Sequence, residues 1–162
     1  METLTHRPPA PARSGLALAG FAAAVLAAAA LGGVAASSAR DTYERLDLPP
    51  FAPPGWLFGP VWTVLYVLIA IAGWLVWREV GLDRSIAVYA GQLVLNALWT
   101  PIFFAGDRYG LALVEILALL AAIVATIVLF ARRQRTAAAL LVPYAAWVAF
   151  ATALNLGIVV LN

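Results

Sequence analysis

Apolar residues in this chain form five long blocks, and the polar stretches between them hold almost all of the charged side chains. The blocks predict helices at about 15–36, 56–78, 85–104, 110–131 and 136–161. A helix needs about 20 residues to cross about 30 Å of hydrocarbon, whereas a soluble domain of this size shows shorter, amphipathic segments. The pattern therefore predicts an all-α membrane protein, with one five-helix transmembrane domain over residues 15–162 after a disordered tail over residues 1–14.

The first apolar block has a second interpretation, a cleaved signal peptide. Arg7 and Arg13 precede it, and Val34-Ala35-Ala36 resembles a cleavage site. The apolar region of a signal peptide spans about 7–15 residues, and this block is longer. We therefore interpret it as the first transmembrane helix.

Composition agrees with the membrane interpretation and removes several kinds of site. Of 162 residues, 64% are hydrophobic and 11% are charged, against about 25% charged in soluble domains, and the mean hydropathy is +0.93. The chain has no Cys, and its single histidine, His6, lies in the proline-rich tail, so disulfides, thiolate chemistry and a metal site are not expected. All ten basic residues are Arg, scattered at helix ends, so we expect no nucleic-acid partner.

A long polar stretch, residues 37–55, connects the first two predicted helices. It holds five charged residues and then four prolines, Pro49, Pro50, Pro53 and Pro54. Proline donates no backbone hydrogen bond and restricts the residue before it. We therefore predict a stiff, non-helical, proline-rich loop, and loops of this length are usually functional or disordered.

The arginines predict the orientation of the helices. Seven lie in the tail and in the second and fourth connections, and three lie on the opposite side. Because cytoplasmic segments carry the excess of Arg and Lys, the N-terminus is expected in the cytoplasm and the proline-rich loop outside.

One face of the third predicted helix carries two amides and three aromatic rings at helical spacing. These residues are Tyr89, Gln92, Asn96, Trp99 and Phe103. Such a stripe is typical of a cavity wall that accepts a flat ligand. In the alternative interpretation, Gln92 and Asn96 hydrogen-bond to a neighbouring helix, at about 0.6–2 kcal/mol per pair, and both interpretations can hold at once.

The second and fifth predicted helices carry similar stripes. The fifth has Pro143, Trp147, Ala151, Leu154 or Asn155, and Ile158, and the second has Trp62, Tyr66, Ile69 and Gly73. Trp62, Trp99 and Trp147 share stripes with amides or with Tyr, so we favour them as cavity residues. Trp56, Trp74 and Trp77 lie nearer helix ends, where Trp commonly sits at the lipid headgroups.

Two further features of the predicted spans bear on function. Glu115 is the only acid well inside a span, and it has either a functional role or the role of an early-turn side chain that reaches water. Ala87 and Gly91 form a small-xxx-small pair, which favours close helix packing in a homodimer. Pro101 and Pro143 are candidate sites for kinks.

Several segments between Tyr43 and Asn155 form a pattern found in one protein family. They are Pro49-Pro50-Phe51-Ala52-Pro53-Pro54-Gly55-Trp56, Gly59-Pro60-Val61-Trp62-Thr63-Val64-Leu65-Tyr66, Tyr89-Ala90-Gly91-Gln92-Leu93-Val94-Leu95-Asn96, Trp99-Thr100-Pro101-Ile102-Phe103-Phe104, Pro143-Tyr144-Ala145-Ala146-Trp147 and Leu154-Asn155. In order and spacing they resemble the bacterial type of the TspO/MBR family, the tryptophan-rich sensory and peripheral benzodiazepine receptor-like translocator proteins.

The resemblance implies a five-helix fold, often dimeric, in a bacterial cell membrane, with a ligand pocket roofed by the first loop. Members bind porphyrins such as protoporphyrin IX, and several bind sterols or benzodiazepine-type drugs. Carried over by motif position, the pocket would include Tyr43, Pro53, Trp62, Asn96, Trp99, Trp147, Ala151 and Leu154. Light-dependent breakdown of protoporphyrin has been attributed to some bacterial members, and the equivalents of Trp62 and Trp147 are implicated.

This sequence departs from the family pattern at several positions. Many members have Trp where this chain has Phe51, and often an aromatic residue at Pro50. An Asp is common where this chain has Glu115, and the sterol-recognition segment that some relatives carry after the fifth helix has no counterpart before Asn162. Sterol binding is therefore not expected, whereas a porphyrin-sized aromatic pocket is.

A purely structural role predicts no saturable ligand, and the paired stripes on the third and fifth predicted helices argue against it. Three functions that involve a ligand remain open at this point. The first is a membrane receptor or binding protein for tetrapyrroles, with a regulatory or scavenging role and porphyrin as a non-covalent ligand, because Trp and Tyr give a flat molecule a large apolar contact. The second is a transporter of such ligands, although the chain shows no internal repeat. The third is light-dependent porphyrin degradation through Trp62 and Trp147, because no acid–base pair or nucleophile for conventional catalysis is visible.

Overall fold

The computed structural model describes residues 11–35 and 39–162, and within these ranges the secondary structure is helical. The helices are α1 (Pro11–Ala35), α2 (Ala39–Arg45), α3 (Phe58–Val80), α4 (Arg84–Thr100), α5 (Tyr109–Ala131) and α6 (Arg135–Leu161). A 3-10 turn, Gly55–Leu57, leads into α3, and a π-helical turn, Pro101–Ala105, extends α4. Five helices in the described ranges are long and apolar enough to cross a membrane, which confirms the predicted five-helix membrane fold.

The five spans form a closed ring in which the order of neighbours differs from the order in the chain. Around the ring, α1 packs on α3, α3 on α6, α6 on α5, α5 on α4, and α4 on α1. In this ring α3 therefore lies between the first span, α1, and the last span, α6. This order places residues from both ends of the sequence around one interior space.

The start of α1 differs from the prediction. The helix begins at Pro11, so residues 11–14, which we assigned to the tail, are helical. Proline is favoured in a first helical turn because the N–H that it lacks has no intrahelical partner there. The rest of the predicted tail, residues 1–10, and the residue Ala36 of the possible cleavage site lie outside the described residues.

We predicted that the connection between α1 and α3 contains no helix, and the structure shows that it contains one. Its first part forms α2, with Asp41 in the first turn and Arg45 in the last, an arrangement that suits the helix dipole. The prediction was wrong for this part because its prolines begin only at Pro49, and residues 39–45 contain none.

The second half of this connection, residues 46–54, is held against the end of the bundle by short-range contacts. Pro49 is buried against Gly157, where an added Cβ would lie 3.0 Å from the proline Cγ. The Tyr43 hydroxyl donates to the Pro53 carbonyl oxygen at 2.8 Å. The proline-rich segment therefore has a defined path across one end of the ring.

Tyr89 anchors the core at the opposite end of the bundle. It is buried, stacks on Phe130 at 5.8 Å between ring centroids, and donates its hydroxyl to the Ile69 carbonyl oxygen at 3.0 Å. Gly73 makes room for it, because a Cβ there would lie 2.7 Å from Tyr89 Cζ and 2.9 Å from Phe21 Cδ1. Gly73 is thus required by close packing.

The turn after α4 changes geometry at Pro101. The following residues form a π-helical turn, closed by hydrogen bonds from Gly106 N to Pro101 O at 3.0 Å and from Arg108 N to Ile102 O at 3.2 Å. Such wide turns are frequent at functional sites. Here the turn directs Phe103 into the interior, where it is 2% exposed. Pro143, in contrast, lies within α6, which continues past it to Leu161.

Asp83 links the α3–α4 turn to the α5–α6 turn at one end of the bundle. Its carboxylate caps α4 by accepting from Ser85 N and Ile86 N, and it pairs with Arg133 at 3.5 Å. Partial burial raises the pKa of Asp83, but these hydrogen bonds and Arg133 outweigh that effect, so the pKa lies below its ordinary value.

Candidate functional site: an aromatic cavity under the proline-rich loop

A cavity of about 640 Å³ lies inside the ring near the end covered by α2 and the proline-rich segment. Its walls come from α1, α3, α6 and the junction of α4 with the π turn. Pockets for drug-sized ligands measure about 300–1,000 Å³ and are mostly apolar. The cavity is therefore of the size and character of a small-molecule site.

Eight of the twelve predicted ligand-binding residues line this cavity: Tyr43, Trp62, Tyr66, Trp99, Phe103, Ala151, Leu154 and Asn155. The structure brings them together from α2, α3, α4, the π turn and α6. Ile158, which shares the predicted α6 stripe, also lines it. Whether these residues bind a ligand remains a prediction.

The other four predicted residues lie outside the cavity lining. Pro53 is connected to the site through its carbonyl oxygen, which accepts the hydrogen bond from the Tyr43 hydroxyl. Trp147 packs edge-on against Phe58, a lining residue, at 5.8 Å between ring centroids, and its buried Nε1 has no hydrogen-bond partner in the described structure. Gln92 and Asn96 are buried in a polar chain behind the wall.

This polar chain connects α3, α4 and α6. The Tyr66 hydroxyl donates to Asn96 Oδ1 at 3.3 Å, Asn96 Nδ2 donates to the Tyr144 hydroxyl at 3.1 Å, and Tyr144 donates to Gln92 Oε1 at 2.9 Å. The interpretation of Gln92 and Asn96 as interhelical hydrogen-bonding partners is thus confirmed. Tyr144 was missed by the sequence analysis, although a Tyr deep in an apolar span must find a polar partner.

A second polar chain fixes the other wall of the cavity. Trp99 Nε1 donates to Asn155 Oδ1 at 3.4 Å, and Asn155 Nδ2 donates to the Tyr109 carbonyl oxygen at 3.0 Å. The Trp99 ring stacks on Phe103 at 4.9 Å between centroids. These contacts hold the Trp99 indole in one orientation against the cavity.

Two aromatic pairs define the shape of the interior. Trp62 and Tyr66 on α3 lie 5.2 Å apart and inclined by 30°, and Trp99 and Phe103 are inclined by 29°. Trp62 also meets Tyr144 edge-on at 6.1 Å. Ring faces and edges at these spacings provide apolar contact with fixed geometry, which suits a flat, rigid molecule.

Small residues on α1 form the part of the wall that the sequence analysis did not identify. Ala29, Gly32 and Gly33 line the cavity, together with Gly55 and Gly59 of the segment that enters α3. Gly32 approaches Thr100 closely, since an added Cβ would lie 3.3 Å from Thr100 Oγ1. No distinct signal marked these positions, because small residues occur all along this Ala-rich helix.

Trp56 combines both predicted roles for tryptophan. It is 72% exposed, as expected of a side chain near the lipid headgroups, and it also lines the cavity. Trp74, in contrast, lies away from the cavity, where its Nε1 donates to the Ser14 carbonyl oxygen at 2.9 Å and Arg78 lies over its ring at 4.7 Å.

The charged groups around the cavity are few. Among its described lining residues, one carboxylate, Glu44, and no basic side chain occur. Arg45 on α2 donates to Thr42 Oγ1 at 3.3 Å. Burial raises the pKa of Tyr43, so its hydroxyl stays protonated and available for the bond to Pro53.

Glu115 lies on α5, outside the cavity lining. Both carboxyl oxygens are buried and have no hydrogen-bond partner among the described residues, which contradicts the interpretation of an early-turn side chain that reaches water. No group of three or more His, Asp or Glu side chains that could hold a metal ion is found within residues 11–35 and 39–162.

Comparison with known proteins adds an independent observation. A family model described as the TspO/MBR family matches residues 21–161. The chain is 44% identical to the translocator protein of Homo sapiens over 118 residues, 70% of each chain. It is 42% identical to the tryptophan-rich protein TspO of Archaeoglobus fulgidus over 130 residues, 78% of this chain and 84% of that one. The tryptophan-rich sensory protein of Cereibacter sphaeroides is 37% identical over 122 residues, 75% and 77% of the two chains.

Proposed function

The chain belongs to the TspO/MBR family, and from this premise we propose that it binds tetrapyrroles in its aromatic cavity. Family membership supports a membrane role in tetrapyrrole-related binding or transport. We propose protoporphyrin IX or another haem-pathway intermediate as the ligand, held without a covalent bond, in a regulatory or scavenging role.

The observation that carries this proposal is the enclosure of one cavity by two fixed aromatic pairs on different helices, Trp62–Tyr66 and Trp99–Phe103. Planar conjugated molecules gain contact area on such walls at little entropic cost, because Trp and Tyr have few rotatable bonds. The polar groups of the two chains that belong to lining residues, on Tyr66, Trp99 and Asn155, already have partners inside the protein, so most of the wall is left apolar for the ligand.

The charges around the cavity favour one orientation of such a ligand. Porphyrin propionates need cationic or hydrogen-bonding partners, and no described lining residue is basic. Arg40 and Arg45 lie on α2, which contributes Tyr43 and Glu44 to the cavity. We therefore propose that the macrocycle enters edge-first and that the propionates point toward α2.

A tryptophan-fluorescence titration with protoporphyrin IX in detergent tests the proposal. Saturable quenching should weaken by about 3–10-fold in affinity in Trp62→Phe, because that change removes an aromatic contact. Trp74→Phe is the matched control on the same helix, since Trp74 lies outside the cavity. Linear quenching that is equal in all three proteins would mean partitioning into the micelle and would refute the proposal.

Transport of the same ligand is the second candidate function, and the printed name of the human relative, translocator protein, favours it. Ligand loaded inside proteoliposomes should leave faster when the protein is present, and equal rates with and without protein would refute transport.

We also propose the orientation and the oligomeric state. The bundle end with the α1 N-terminus and the α3–α4 and α5–α6 turns carries exposed arginines: Arg13, Arg78, Arg84, Arg132, Arg133 and Arg135. The positive-inside rule places this end in the cytoplasm of a bacterial cell membrane. On α4, Ala87 and Gly91 are exposed and next to exposed Val94, so this face is available to a second copy in a homodimer.

A further inference from the structure

The polar chain behind the cavity runs in a single direction. Tyr66 donates to Asn96, Asn96 donates to Tyr144, and Tyr144 donates to Gln92. Tyr66, Asn96 and Tyr144 thus each donate to the next residue of the chain, away from the cavity. Tyr66, which lines the cavity, therefore has no O–H left to donate to a ligand and can only accept through its hydroxyl oxygen.

The far end of the chain is unsatisfied. Gln92 Nε2 is buried and has no hydrogen-bond partner in the described residues, although Gln92 Oε1 accepts from Tyr144. A buried amide group without a partner for its N–H donors costs free energy, and unpaired N–H groups are rarer than under-used carbonyl oxygens. In the direction of donation seen in the structure, the free-energy cost of an unsatisfied donor therefore falls on Gln92.

The same four residues permit the opposite direction. If both amides turn by half a rotation about their terminal bonds, Gln92 Nε2 donates to the Tyr144 oxygen and Tyr144 donates to Asn96 Oδ1. Asn96 Nδ2 then donates to the Tyr66 oxygen, and the Tyr66 O–H is released toward the cavity. All three contacts are retained, and the buried Nε2 gains a partner.

We propose that Tyr66 is the specificity-determining donor of the cavity, and that the chain reverses direction when a flat ligand brings a hydrogen-bond acceptor, such as a carbonyl oxygen, beside it. This inference rests on the proposed ligand-binding function. The ligand acceptor supplies the partner that the released Tyr66 O–H needs, and reversal supplies the partner that Gln92 Nε2 lacks. A ligand of the same shape without an acceptor brings neither change.

Gln92 then controls ligand preference from behind the wall. In Gln92→Met, the amide oxygen that accepts from Tyr144 is lost, and Asn96 Oδ1 in the reversed arrangement is the amide oxygen of the chain that can replace it. The variant should therefore favour acceptor-bearing ligands more than the wild type does, although residue 92 does not line the cavity. A purely structural role for Gln92 predicts no such gain.

Fluorenone and fluorene form a suitable probe pair, because these flat tricyclic molecules differ by one carbonyl oxygen. We would measure saturable binding of each to the purified protein in nanodiscs, and the carbonyl infrared band of bound fluorenone. Wild-type protein should prefer fluorenone by about 3–10-fold, the range of one net hydrogen bond. The ratio of the fluorenone affinity to the fluorene affinity should fall to about 1 in Tyr66→Phe. In Gln92→Met the same ratio should exceed that of the wild type by ~2–5-fold.

The infrared band and one control variant separate this inference from general changes in packing. The bound fluorenone band should shift to lower frequency in the wild type and in Gln92→Met, but not in Tyr66→Phe. Thr126→Val, which removes a buried hydroxyl on α5 outside the chain, should leave the preference unchanged.

The outcomes distinguish the inference from the proposed function. Saturable binding of both probes with no preference, or with the same preference in Tyr66→Phe, overturns the inference and leaves ligand binding intact. Absence of saturable binding by either probe or by protoporphyrin overturns both. If Gln92→Met does not fold, the comparison of the wild type with Tyr66→Phe and the infrared band of bound fluorenone still test the role of Tyr66.

Discussion

The Asn162 side chain pairs with the backbone of Asp47 through two hydrogen bonds, from Asn162 Nδ2 to Asp47 O at 3.0 Å and from Asp47 N to Asn162 Oδ1 at 3.1 Å. The amide thus fastens the proline-rich segment to the end of α6. Asn162→Ala should free this segment while leaving the helices in place, at a cost of about 1 kcal/mol or less for these exposed bonds. Hydrogen exchange at Ala52, whose N–H donates to Pro49 O at 2.9 Å, should become faster.

Asn162→Asp provides the graded control for that prediction. The carboxylate keeps an acceptor for the Asp47 N–H and loses the donor, so exchange at Ala52 should lie between the wild type and Asn162→Ala. Equal exchange in all three proteins would show that Pro49 and Tyr43 hold the segment without Asn162.

Gly73→Ala should destabilise the bundle. The added methyl meets Tyr89 and Phe21 at under 3 Å, and overpacking of this kind costs about 1–3 kcal/mol. Thermal unfolding in detergent measures the loss. Gly20→Ala on α1, where a Cβ has nothing within 4 Å, is the control and should be neutral or slightly stabilising.

Gly33→Phe should block the cavity without disturbing the fold. Gly33 lines the cavity and a Cβ there meets nothing within 4 Å, so a larger side chain can occupy the ligand's space. Saturable protoporphyrin binding should be lost while the unfolding temperature stays close to that of the wild type. Gly20→Phe, on the same helix and outside the lining, should bind normally. Retained binding in Gly33→Phe would place the ligand elsewhere.

Gly91→Ile should weaken the proposed homodimer. Gly91 is exposed on α4 and a Cβ there meets nothing within 4 Å of the same chain, so a bulky side chain interferes only with a second copy. Energy transfer between labelled copies in liposomes should decrease, whereas Val114→Ile, at an exposed position on α5, should leave it unchanged. Equal transfer in both variants would exclude this face as the interface.

Asp83→Ala should lower stability in a pH-dependent way. Loss of the α4 cap costs about 0.5–2 kcal/mol near neutral pH. Because the folded-state pKa of Asp83 is lowered, its contribution is full above the unfolded value of about 3.9 and is lost as the pH falls through the folded value. Unfolding temperatures of the two proteins should therefore converge in strongly acidic buffer, and a constant difference would mean that the charge has no role.

The spans were predictable because a membrane requires long apolar blocks, and the sequence shows them directly. The start of α1 and the existence of α2 were not, since both depend on short segments whose composition resembles the neighbouring loops. Local capping and packing decide where such short helical segments begin and end, and the hydropathy of the sequence does not mark these positions.

The sequence allowed us to predict which helix faces contribute to the candidate site, but not how these faces enclose a cavity. The α4 stripe is continuous from Tyr89 to Phe103, yet only Trp99 and Phe103 line the cavity. Its earlier residues face the core because Tyr89 fills the gap at Gly73 and Tyr144 engages both amides. Where a stripe changes from core to cavity depends on the partners that the neighbouring helices supply, and a single helix does not reveal them.

The closed ring also constrains how the protein is made in the cell. Translation delivers α1 to α5 before α6, but α3 finds its second neighbour only in α6. Until that last span enters the bilayer, the cavity lined by Trp62 and Tyr66 lacks the wall that Ala151 and Leu154 supply. The candidate cavity is therefore completed in one late step of biogenesis, and a nascent chain halted after α5 lacks the part of the wall that α6 supplies.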